Sequence, residues 1–570
     1  MRASETLTAV RRRAARREPW SVLVPLLLIG WIAEIAFALR VHHNGFVFYQ
    51  GGDQIWYYTT GWLAGHGVIP KTLISPAWAF ALAPVALIAG PGYVSALPVA
   101  IVFEALVLAP IALFCVYDIA SRIAGRAIGY VAATLWVIGP YIAIPLFEQR
   151  YHSKYVDQFL PHPLGLTMMG DFPSMVALLA AGALIVRTYQ ARRTELAIAA
   201  GLITGLAILT KASNLIFLFT PLVLFLIGKR WRELGTFALA LIPALATLAV
   251  WKYRGYGTLP AFGNGLGQTH QLAAGSGEAF GTTGSILTPY HRYANIDWSH
   301  LQNNLDGLAE VFLSLRVLQF LPFAGAIAVA RRSWPLAIAL STWFWLYFVI
   351  KGSDSVSSVD SASFFRLLLP AIPPLLIMVA CLPVLTPRFG PELAARFPAA
   401  APRIPGRRLL IVTAVLFGLV PLVAAGALHR TAGSGRWIIL HDIGVPVDSG
   451  VALHATVRGG VVLLHWNDAS EGSTRVFYRV LRSRGPNDAL CQSQNAQRKV
   501  PGQPHESSGV INCTYSGVRV KTTATTTATD RPGHGTFTYR IGVGTNWVAD
   551  PSMGDVFLVS DPATVKVTVP

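Results

Sequence analysis

Charged side chains are scarce in this sequence. They account for 13% of its 570 residues, whereas an ordinary soluble domain carries roughly 25%. Hydrophobic residues make up 53% of the chain, and its mean hydropathy is +0.49. This balance excludes an ordinary soluble globular protein, because most of the chain must face lipid.

Cysteine is also rare, with four residues in the whole chain. Cys115 and Cys381 lie in apolar runs, whereas Cys491 and Cys513 lie close together in a polar C-terminal region. This small number excludes a disulfide-rich scaffold. The second pair would form one disulfide if that region faces an oxidising compartment.

Acidic residues are outnumbered by basic ones, 28 to 46, which gives a formal net charge of +18. The basic residues form clusters between apolar runs, for example at residues 11–17, 122–126, 187–193 and 229–232, and such clusters are typical of cytoplasmic loops in membrane proteins. No basic stripe interleaved with aromatic residues is present, so nucleic acid is not expected as a partner. The expected partner is the lipid bilayer.

Apolar runs close to the roughly 20 residues needed to cross a bilayer recur along the chain. The first is too long for the apolar core of a cleavable signal peptide, so it is expected to remain as a membrane helix. The run 74–90 is interpreted as a helix on the outer surface, because counting it as a span would invert every later loop; a full span is the alternative. Eleven spans are predicted, at 21–39, 95–117, 128–147, 173–187, 196–209, 215–227, 234–250, 315–330, 335–350, 364–383 and 409–428.

The order of the spans predicts the topology of the chain. An odd number of spans with a cytoplasmic amino terminus places the C-terminal region outside, where Cys491 and Cys513 can oxidise. The sequence therefore predicts an α-helical polytopic protein of the plasma membrane, with a membrane domain at residues 1–428 and an extracytoplasmic domain at 429–570. Outer loops are expected at 41–94, 148–172 and 251–314.

The C-terminal region is polar and Thr-rich, with short alternating runs separated by turn residues, which is an all-β pattern. The runs resemble strands of a fibronectin type III or related immunoglobulin-like sandwich, with Trp466 as the buried core aromatic. The stretch 522–529, which is nearly all threonine, predicts a loop or an edge strand. The alternating runs lie at 461–466, 476–480, 536–541 and 563–569.

The first outer loop carries an acidic residue beside aromatic ones. Gly51 and Gly52 allow a sharp turn, so Asp53 can be held at the top of the first helix. Trp56 and Tyr57 begin an aromatic shelf that would suit the C–H face of a sugar ring. The alternative is an interfacial aromatic belt with Asp53 as a helix N-cap.

A second carboxylate, Asp171, ends the outer loop that also carries His152 and Lys154 as candidate substrate-binding residues. The two acids could have separate roles. One would deprotonate an acceptor hydroxyl as general base, and the other would orient that hydroxyl or bind a divalent cation such as Mg²⁺ or Mn²⁺. No other cofactor is indicated. As the alternative, Asp171 simply begins a helix, since acidic residues favour the N-terminal turn.

Two basic residues are predicted at the outer ends of membrane helices. Lys211 lies in a tight connection between two short spans, and Arg366 begins a later span. A phosphate leaving group needs fixed positive charge, and a guanidinium can bind it through two hydrogen bonds. The alternative is that both side chains snorkel to lipid headgroups.

The long outer loop 251–314 carries His291 and Arg292. We expect it to cover the site and to contact the acceptor, because loops of this length are often functional. A purely connecting loop is the alternative.

Together these motifs resemble the GT-C superfamily of membrane glycosyltransferases, related to its dolichyl-phosphate-mannose mannosyltransferases and aminoarabinose transferases. The resemblance covers residues 21–383 and includes the acidic first loop, the Leu-Thr-Lys turn at Lys211 and the Arg-Leu-Leu-Leu-Pro sequence at Arg366. It implies a polyprenyl-phosphate sugar donor, inversion at the anomeric carbon, Asp53 as the base and Arg366 as the phosphate ligand. Many members carry two adjacent acidic residues where this chain has Gly52-Asp53-Gln54, which leaves the metal requirement open.

The leading hypothesis is sugar transfer from a polyprenyl phosphate to a cell-envelope glycan, lipid or protein. A transporter or flippase of a lipid-linked sugar is the second, and it predicts ionisable residues deep within helices; Glu34 and Glu104 are the acidic residues inside predicted spans. A third is an interaction protein in which the helices only anchor the β domain.

Overall fold

The computed structural model of the chain separates a helical part from a β part. Up to residue 387 the described residues form helices and turns, apart from one isolated bridge between Phe147 and Phe312. From residue 451 onwards they form strands. The described residues are 19–37, 53–65, 74–89, 93–256, 296–354, 357–360, 363–387, 451–468, 476–483, 518–523, 525–545, 557–558 and 563–570.

The helices are short in many places because prolines and 3₁₀ or π turns interrupt them. Their bounds are α1 (Pro19–Phe37), α2 (Asp53–Gly65), α3 (Pro76–Ala89), α4 (Tyr93–Phe103), α5 (Ala109–Ala124), α6 (Arg126–Ala143), α7 (His152–Lys154), α8 (Pro161–Leu164), α9 (Asp171–Ala191), α10 (Thr194–Thr210), α11 (Phe219–Ile227), α12 (Trp231–Tyr256), α13 (Trp298–Val311), α14 (Leu315–Leu318), α15 (Leu321–Ala330), α16 (Trp334–Gly352), α17 (Ser363–Leu368) and α18 (Ile372–Ala380).

Six of the eleven predicted spans coincide with helical segments of the described residues that are long and apolar enough to cross a membrane. Four other predicted spans coincide with shorter apolar stretches, two of which contain 3₁₀ turns at Ala212–Leu218 and Leu369–Ala371. The eleventh run, 409–428, lies outside the described residues. The six long segments are Pro19–Phe37, Ala96–Ala124, Arg126–Leu146, Asp171–Ala191, Trp231–Trp251 and Trp334–Gly352.

Helix α3 corresponds to the run interpreted as a surface helix, and its 14 residues are fewer than a span requires. It packs tightly on α2. A Cβ atom on Gly61 of α2 would lie 2.5 Å from the carbonyl oxygen of Ala79, so the two helices touch through backbone at this point. Trp78 and Leu82 are buried in the resulting core.

Helices α5 and α9 are joined by a buried ion cluster. Asp118 accepts hydrogen bonds from Arg122 Nε at 2.9 Å and from Arg187 Nε at 2.8 Å, and its second oxygen accepts one from Arg187 Nη2 at 2.9 Å. The Asp118 side chain is 1% exposed. Both arginines belong to clusters that the sequence predicts on the cytoplasmic side, so one buried carboxylate holds two of these cations in place.

The described strands of the C-terminal part form two antiparallel sheets. One has the order β1-β2-β5; in the other, β4, β3 and β6 are neighbours, and β6 pairs with both β7 and β8. The four predicted runs fall on β2, β3, β6 and β8, and the sandwich itself stays a prediction. The strand bounds are β1 (His454–Arg458), β2 (Val461–His465), β3 (Val476–Ser483), β4 (Val518–Thr523), β5 (Thr527–Asp530), β6 (Gly535–Thr545), β7 (Phe557–Leu558) and β8 (Ala563–Val569).

Trp466 is buried, as its predicted core position requires, and its ring meets Tyr478 edge to face with centroids 5.4 Å apart. The Thr-rich stretch ends β4 and forms β5, each of which lies at the edge of its described sheet. Cys115 and Cys381 are buried free thiols. Cys491 and Cys513 lie outside the described residues.

Replacing Asp118 with Asn should lower the free energy of unfolding by about 3–5 kcal/mol, because two arginines then lack their buried counterion. The melting temperature of the purified protein in detergent would measure the loss. Glu195→Gln is the matched control: its pair with Arg193 is surface-exposed, so the change should be small. Equal melting temperatures for wild type and Asp118→Asn would contradict a stabilising role for the cluster.

Candidate active site

The centre of the candidate site is the carboxylate of Asp171, at the first residue of α9. Lys211 Nζ donates a hydrogen bond to Asp171 Oδ1, and Arg366 Nε lies 3.5 Å from Asp171 Oδ2. These residues are far apart in sequence and were proposed separately as catalytic or phosphate-binding groups. The structure brings all three together.

The side chain of Asp171 is less exposed to solvent than those of its two cationic partners. The Asp171 side chain is only 4% exposed, whereas those of Lys211 and Arg366 are 20% and 27% exposed. Burial lowers the pKa of the Lys211 ammonium group from its ordinary value; Asp171 opposes this shift, and Arg366 and Lys351 add to it. The carboxylate is therefore more deeply buried than the two cations that pair with it.

The turn that carries Lys211 is fixed by Asn214. The backbone N–H of Asn214 donates to the Lys211 carbonyl at 2.9 Å, and its side-chain amide donates to the carbonyl of Ala207 at 2.9 Å. Tyr347 Oη donates to Asn214 Oδ1 at 3.0 Å. This bond links the turn to α16, so Lys211 has little freedom to leave Asp171.

Helix α2 contacts the chain immediately before both Asp171 and Lys211. Tyr57 Oη donates to the carbonyl of Thr210 at 3.2 Å, and Gln54 Oε1 accepts from the backbone N–H of Met168 at 2.7 Å. A Cβ atom on Gly170 would lie 2.6 Å from Tyr57 Oη, so only glycine fits there without displacing the ring. Tyr57 is thus a buried neighbour of the site.

Asp53 is the first residue of α2, which fits the helix-start interpretation, and it precedes Gln54 directly. The end of α2 that contacts Met168 is therefore the end that carries Asp53, on the side of the helical part where Asp171 and Arg366 lie. The side chains of Asp53 and Trp56 lie outside the described part of the structure. Their predicted roles stay predictions.

Helix α3 and the residues before it support the same segments. Trp78 Nε1 donates to the carbonyl of Met168 at 2.9 Å, and the backbone N–H of Ala212 donates to Ser75 Oγ at 3.2 Å. The chain segments next to Asp171 and Lys211 are thus held by both helices of the α2–α3 pair.

A second ion pair near the site was not predicted from the sequence. Lys351 Nζ lies 3.2 Å from Asp354 Oδ2, both side chains are less than 10% exposed, and the charge of Lys351 acts on Lys211. The sequence does carry a signal for this pair, because Lys351 directly follows the predicted span 335–350. Buried His162, which lies within electrostatic reach of Asp171, was also missed.

Asn304 of α13 holds the segment that connects Lys351 with Arg366. Its amide nitrogen donates to the carbonyls of Gly352 at 2.9 Å and Ser357 at 3.0 Å, and its amide oxygen accepts from the N–H of Val359 at 3.2 Å. All three bonds go to residues 352–359. One buried amide therefore fixes the path of the chain that leads to α17.

Aromatic side chains surround the residue that precedes Arg366. The ring of Phe365 lies 4.9 Å from that of Phe159 and about perpendicular to those of Phe147 and Tyr155. This cluster packs α17 against the segment 147–159.

Four further residues were predicted as substrate contacts. A His152 ring nitrogen shares a hydrogen bond with the Phe147 carbonyl at 2.9 Å, and Lys154 is exposed. His291 and Arg292 lie outside the described residues. Within the part of the chain that is described, no three His, Cys, Asp or Glu side chains converge on a common point, so Mg²⁺ or Mn²⁺ binding stays a prediction.

No protein-family model and no curated protein matches the chain. Two solved structures are similar to it: crystal structures of the Archaeoglobus fulgidus oligosaccharyltransferase in the apo form and in complex with Zn and sulfate. Each is 16% identical, with TM-scores of 0.41 and 0.40. The matched regions cover 74% and 73% of this chain but only 57% and 54% of those chains, less than two thirds of their length. At these values the likeness assigns neither an activity nor a ligand to this chain.

Replacing Asn304 with Ala should accelerate hydrogen exchange at the backbone amide of Val359 about tenfold or more, because that amide loses its acceptor and the carbonyls of Gly352 and Ser357 each lose one donor. Hydrogen–deuterium exchange with peptide mass spectrometry over residues 352–366 would measure this. Asn303→Ala is the matched control, since Asn303 is exposed on the same helix. Equal exchange in both variants would show that Asn304 does not hold the segment.

Proposed function

We propose that the protein is a membrane glycosyltransferase. It moves a sugar from a polyprenyl-phosphate donor to a cell-envelope glycan, lipid or protein acceptor at the outer face of the plasma membrane, with inversion at the anomeric carbon. Asp53 is the base, and Arg366 and Lys211 bind the phosphate.

The observation that carries this proposal is the ion cluster at Asp171. Lys211 and Arg366, from distant parts of the chain, both lie against this one buried carboxylate, and the charge of a third cation, Lys351, acts on Lys211. Fixed positive charge of this kind stabilises the negative charge that develops on a departing phosphate.

The partial exposure of the cations supports the same assignment. Asp171 is almost fully buried, so it orients Lys211 and Arg366 rather than meeting the substrate directly, and the two cationic side chains are partly exposed. A guanidinium can bind a phosphate through two parallel hydrogen bonds, and an ammonium adds a compact charge beside it. The earlier alternative, snorkelling to lipid headgroups, does not account for two cations that share one buried carboxylate.

The chemical step follows from these roles. The acceptor hydroxyl gives its proton to the Asp53 carboxylate while its oxygen attacks the anomeric carbon. The bond from that carbon to the phosphate oxygen breaks, and the electron pair leaves with the polyprenyl phosphate beside Arg366 and Lys211. Attack opposite the leaving group gives inversion. Tyr57, Trp56, His152, Lys154, His291 and Arg292 are proposed substrate contacts, and a divalent cation at Asp53 and Asp171 is not required by this step.

The location of the charges fits a donor with a lipid tail. Asp171 begins an apolar helix, and Lys211 ends another, so the phosphate-binding groups lie where membrane helices meet water. A polyprenyl chain can stay in the bilayer while its phosphate reaches this level. The β domain would bind acceptor glycan or place the enzyme in the cell wall.

A transporter or flippase is the second candidate, and one observation favours it. Glu34 and Glu104 lie within apolar helical segments, and Glu104 has no exposed surface. Such residues often mark ion or proton pathways in transporters. Counterflow of a lipid-linked sugar in liposomes, without turnover, would favour this function over transfer.

Replacing Asp53 with Asn should lower turnover by about 100-fold or more, because general-base catalysis contributes roughly 10²–10⁴-fold. The assay would follow transfer from a polyprenyl-phosphate sugar in proteoliposomes, with folding checked by melting temperature. Asp306→Asn, an exposed residue on α13, is the control and should leave turnover unchanged. Near-normal turnover by folded Asp53→Asn would remove Asp53 from the mechanism.

Replacing Arg366 with Lys should raise the KM for the donor about tenfold or more while the KM for the acceptor changes little. Lysine keeps the charge but loses the paired hydrogen bonds of the guanidinium. Initial rates with each substrate varied in turn would separate the two constants. Arg316→Lys, on exposed α14, serves as the control. An unchanged donor KM would argue against phosphate binding by Arg366.

A further inference from the structure

Glu104 is a buried acid that the proposed reaction does not use. It begins a π-helical turn, Glu104–Leu108, between α4 and α5, and its side chain has no exposed surface. Neither of its carboxylate oxygens has a hydrogen-bond partner among the described residues. An ionised carboxylate without a partner is very costly in an apolar medium, so this group requires either a proton or a bound cation.

One face of α1 brings a second acid to the same place. Trp31 Nε1 donates to the carbonyl of Ala105 at 3.1 Å, and the ring of Phe37 lies 6.0 Å from that of Tyr141. Glu34 is three residues after Trp31 and three before Phe37, so all three share one helix face. Glu34 therefore lies between the π turn and Tyr141 of α6.

Four of the five side-chain oxygens of Glu34, Glu104 and Tyr141 are buried. Glu34 Oε1 and Tyr141 Oη, like the two oxygens of Glu104, have no hydrogen-bond partner among the described residues. Glu34 lies within electrostatic reach of Glu104 on one side and of Tyr141 on the other. Three helical segments thus direct unpaired oxygen atoms to one region inside the helical part.

Backbone closes this region on the side of the candidate active site. Gly165 adopts a left-handed conformation with φ of +72°, and a Cβ atom there would lie 2.7 Å from Glu104 Oε2 and 2.7 Å from the ring of Phe172. Phe172 follows Asp171 directly. Any larger residue at position 165 would therefore press on the carboxylate.

We propose that Glu34, Glu104 and Tyr141 bind a metal cation inside the membrane. Two carboxylates and a phenol oxygen are hard donors, with no sulfur or imidazole among them, and such sets suit Na⁺, Mg²⁺ or Ca²⁺. A divalent ion neutralises both carboxylates; a monovalent ion neutralises one and leaves a proton on the other. Either occupant supplies the partners that the unsatisfied oxygens lack.

The site is independent of the transfer reaction. Gly165 and Phe172 lie between it and Asp171. It involves none of the residues that are proposed to bind the phosphate. A bound cation would hold α1, the π turn and the 165–172 segment together, and so would stabilise the protein whether or not it transfers sugar.

The test measures thermal unfolding of the full-length protein in nanodiscs after treatment with a chelator. Chlorides of Na⁺, Mg²⁺ and Ca²⁺ are added at one ionic strength, with choline chloride as the reference. We expect at least one metal to raise the melting temperature saturably above the choline value, as ligand binding to the folded state requires. No metal-specific increase at any concentration would overturn the proposal.

Variants assign the effect to these residues. Glu104→Gln and Glu34→Gln should abolish the metal-dependent increase, Tyr141→Phe should weaken it, and Glu195→Gln at an exposed position should retain it. An increase in Glu104→Gln equal to that of wild type would overturn the assignment.

Infrared spectra of the wild type keep the test decisive even if a variant fails to fold. Adding the active metal should remove the carbonyl stretch of a neutral buried carboxylic acid, or shift the bands of the ionised carboxylates. Persistence of the neutral-acid stretch at saturating metal, with no carboxylate shift, would show a protonated pair rather than a cation site.

Discussion

The buried carboxylate of Asp171 is the interaction on which the charged end of the helical part depends. Lys211 and Arg366 come from segments far apart in the chain, and both meet this one group. Two cations held this close repel each other, so they stay together only while an anion lies between them. Hydrogen bonds from α2, α3 and the residue before α3 fix the segments next to Asp171 and Lys211. These bonds maintain the geometry on which the electrostatic balance depends.

Helix α9 links this end of the molecule with the other. Its first residue is Asp171, and near its last turn Arg187 pairs with the buried Asp118 of α5. Between these ends most of its side chains are buried. An apolar helix that is ion-paired at both ends cannot slide along its axis without breaking one of the pairs. It therefore provides a fixed frame, against which the α2–α3 pair and the shorter helices are positioned.

Hydropathy predicted where the described apolar helices lie, because an apolar run of sufficient length has few alternatives to a buried or membrane-facing helix. Four of the predicted spans are shorter helical stretches in the structure, and two of these contain 3₁₀ turns, near Ala212 and Pro370, that hydropathy does not reveal. Charge at helix ends identified Asp171, Lys211 and Arg366 as candidates. It did not reveal that they pair with one another, or that Asn304 holds the segment leading to Arg366, because such contacts depend on tertiary packing. The burial of Trp466 followed from its position in an alternating strand.

The contact between Gly170 and Tyr57 restricts how this sequence can diverge. A methyl group at position 170 would overlap the phenol ring, and the ring is held by its bond to the Thr210 carbonyl. Position 170 therefore cannot gain a side chain on its own without displacing the Tyr57 ring beside Asp171. In distant homologues the two should covary: where glycine is replaced, a smaller residue should occupy the place of the tyrosine. That paired substitution would be a more specific marker of shared architecture than either residue alone.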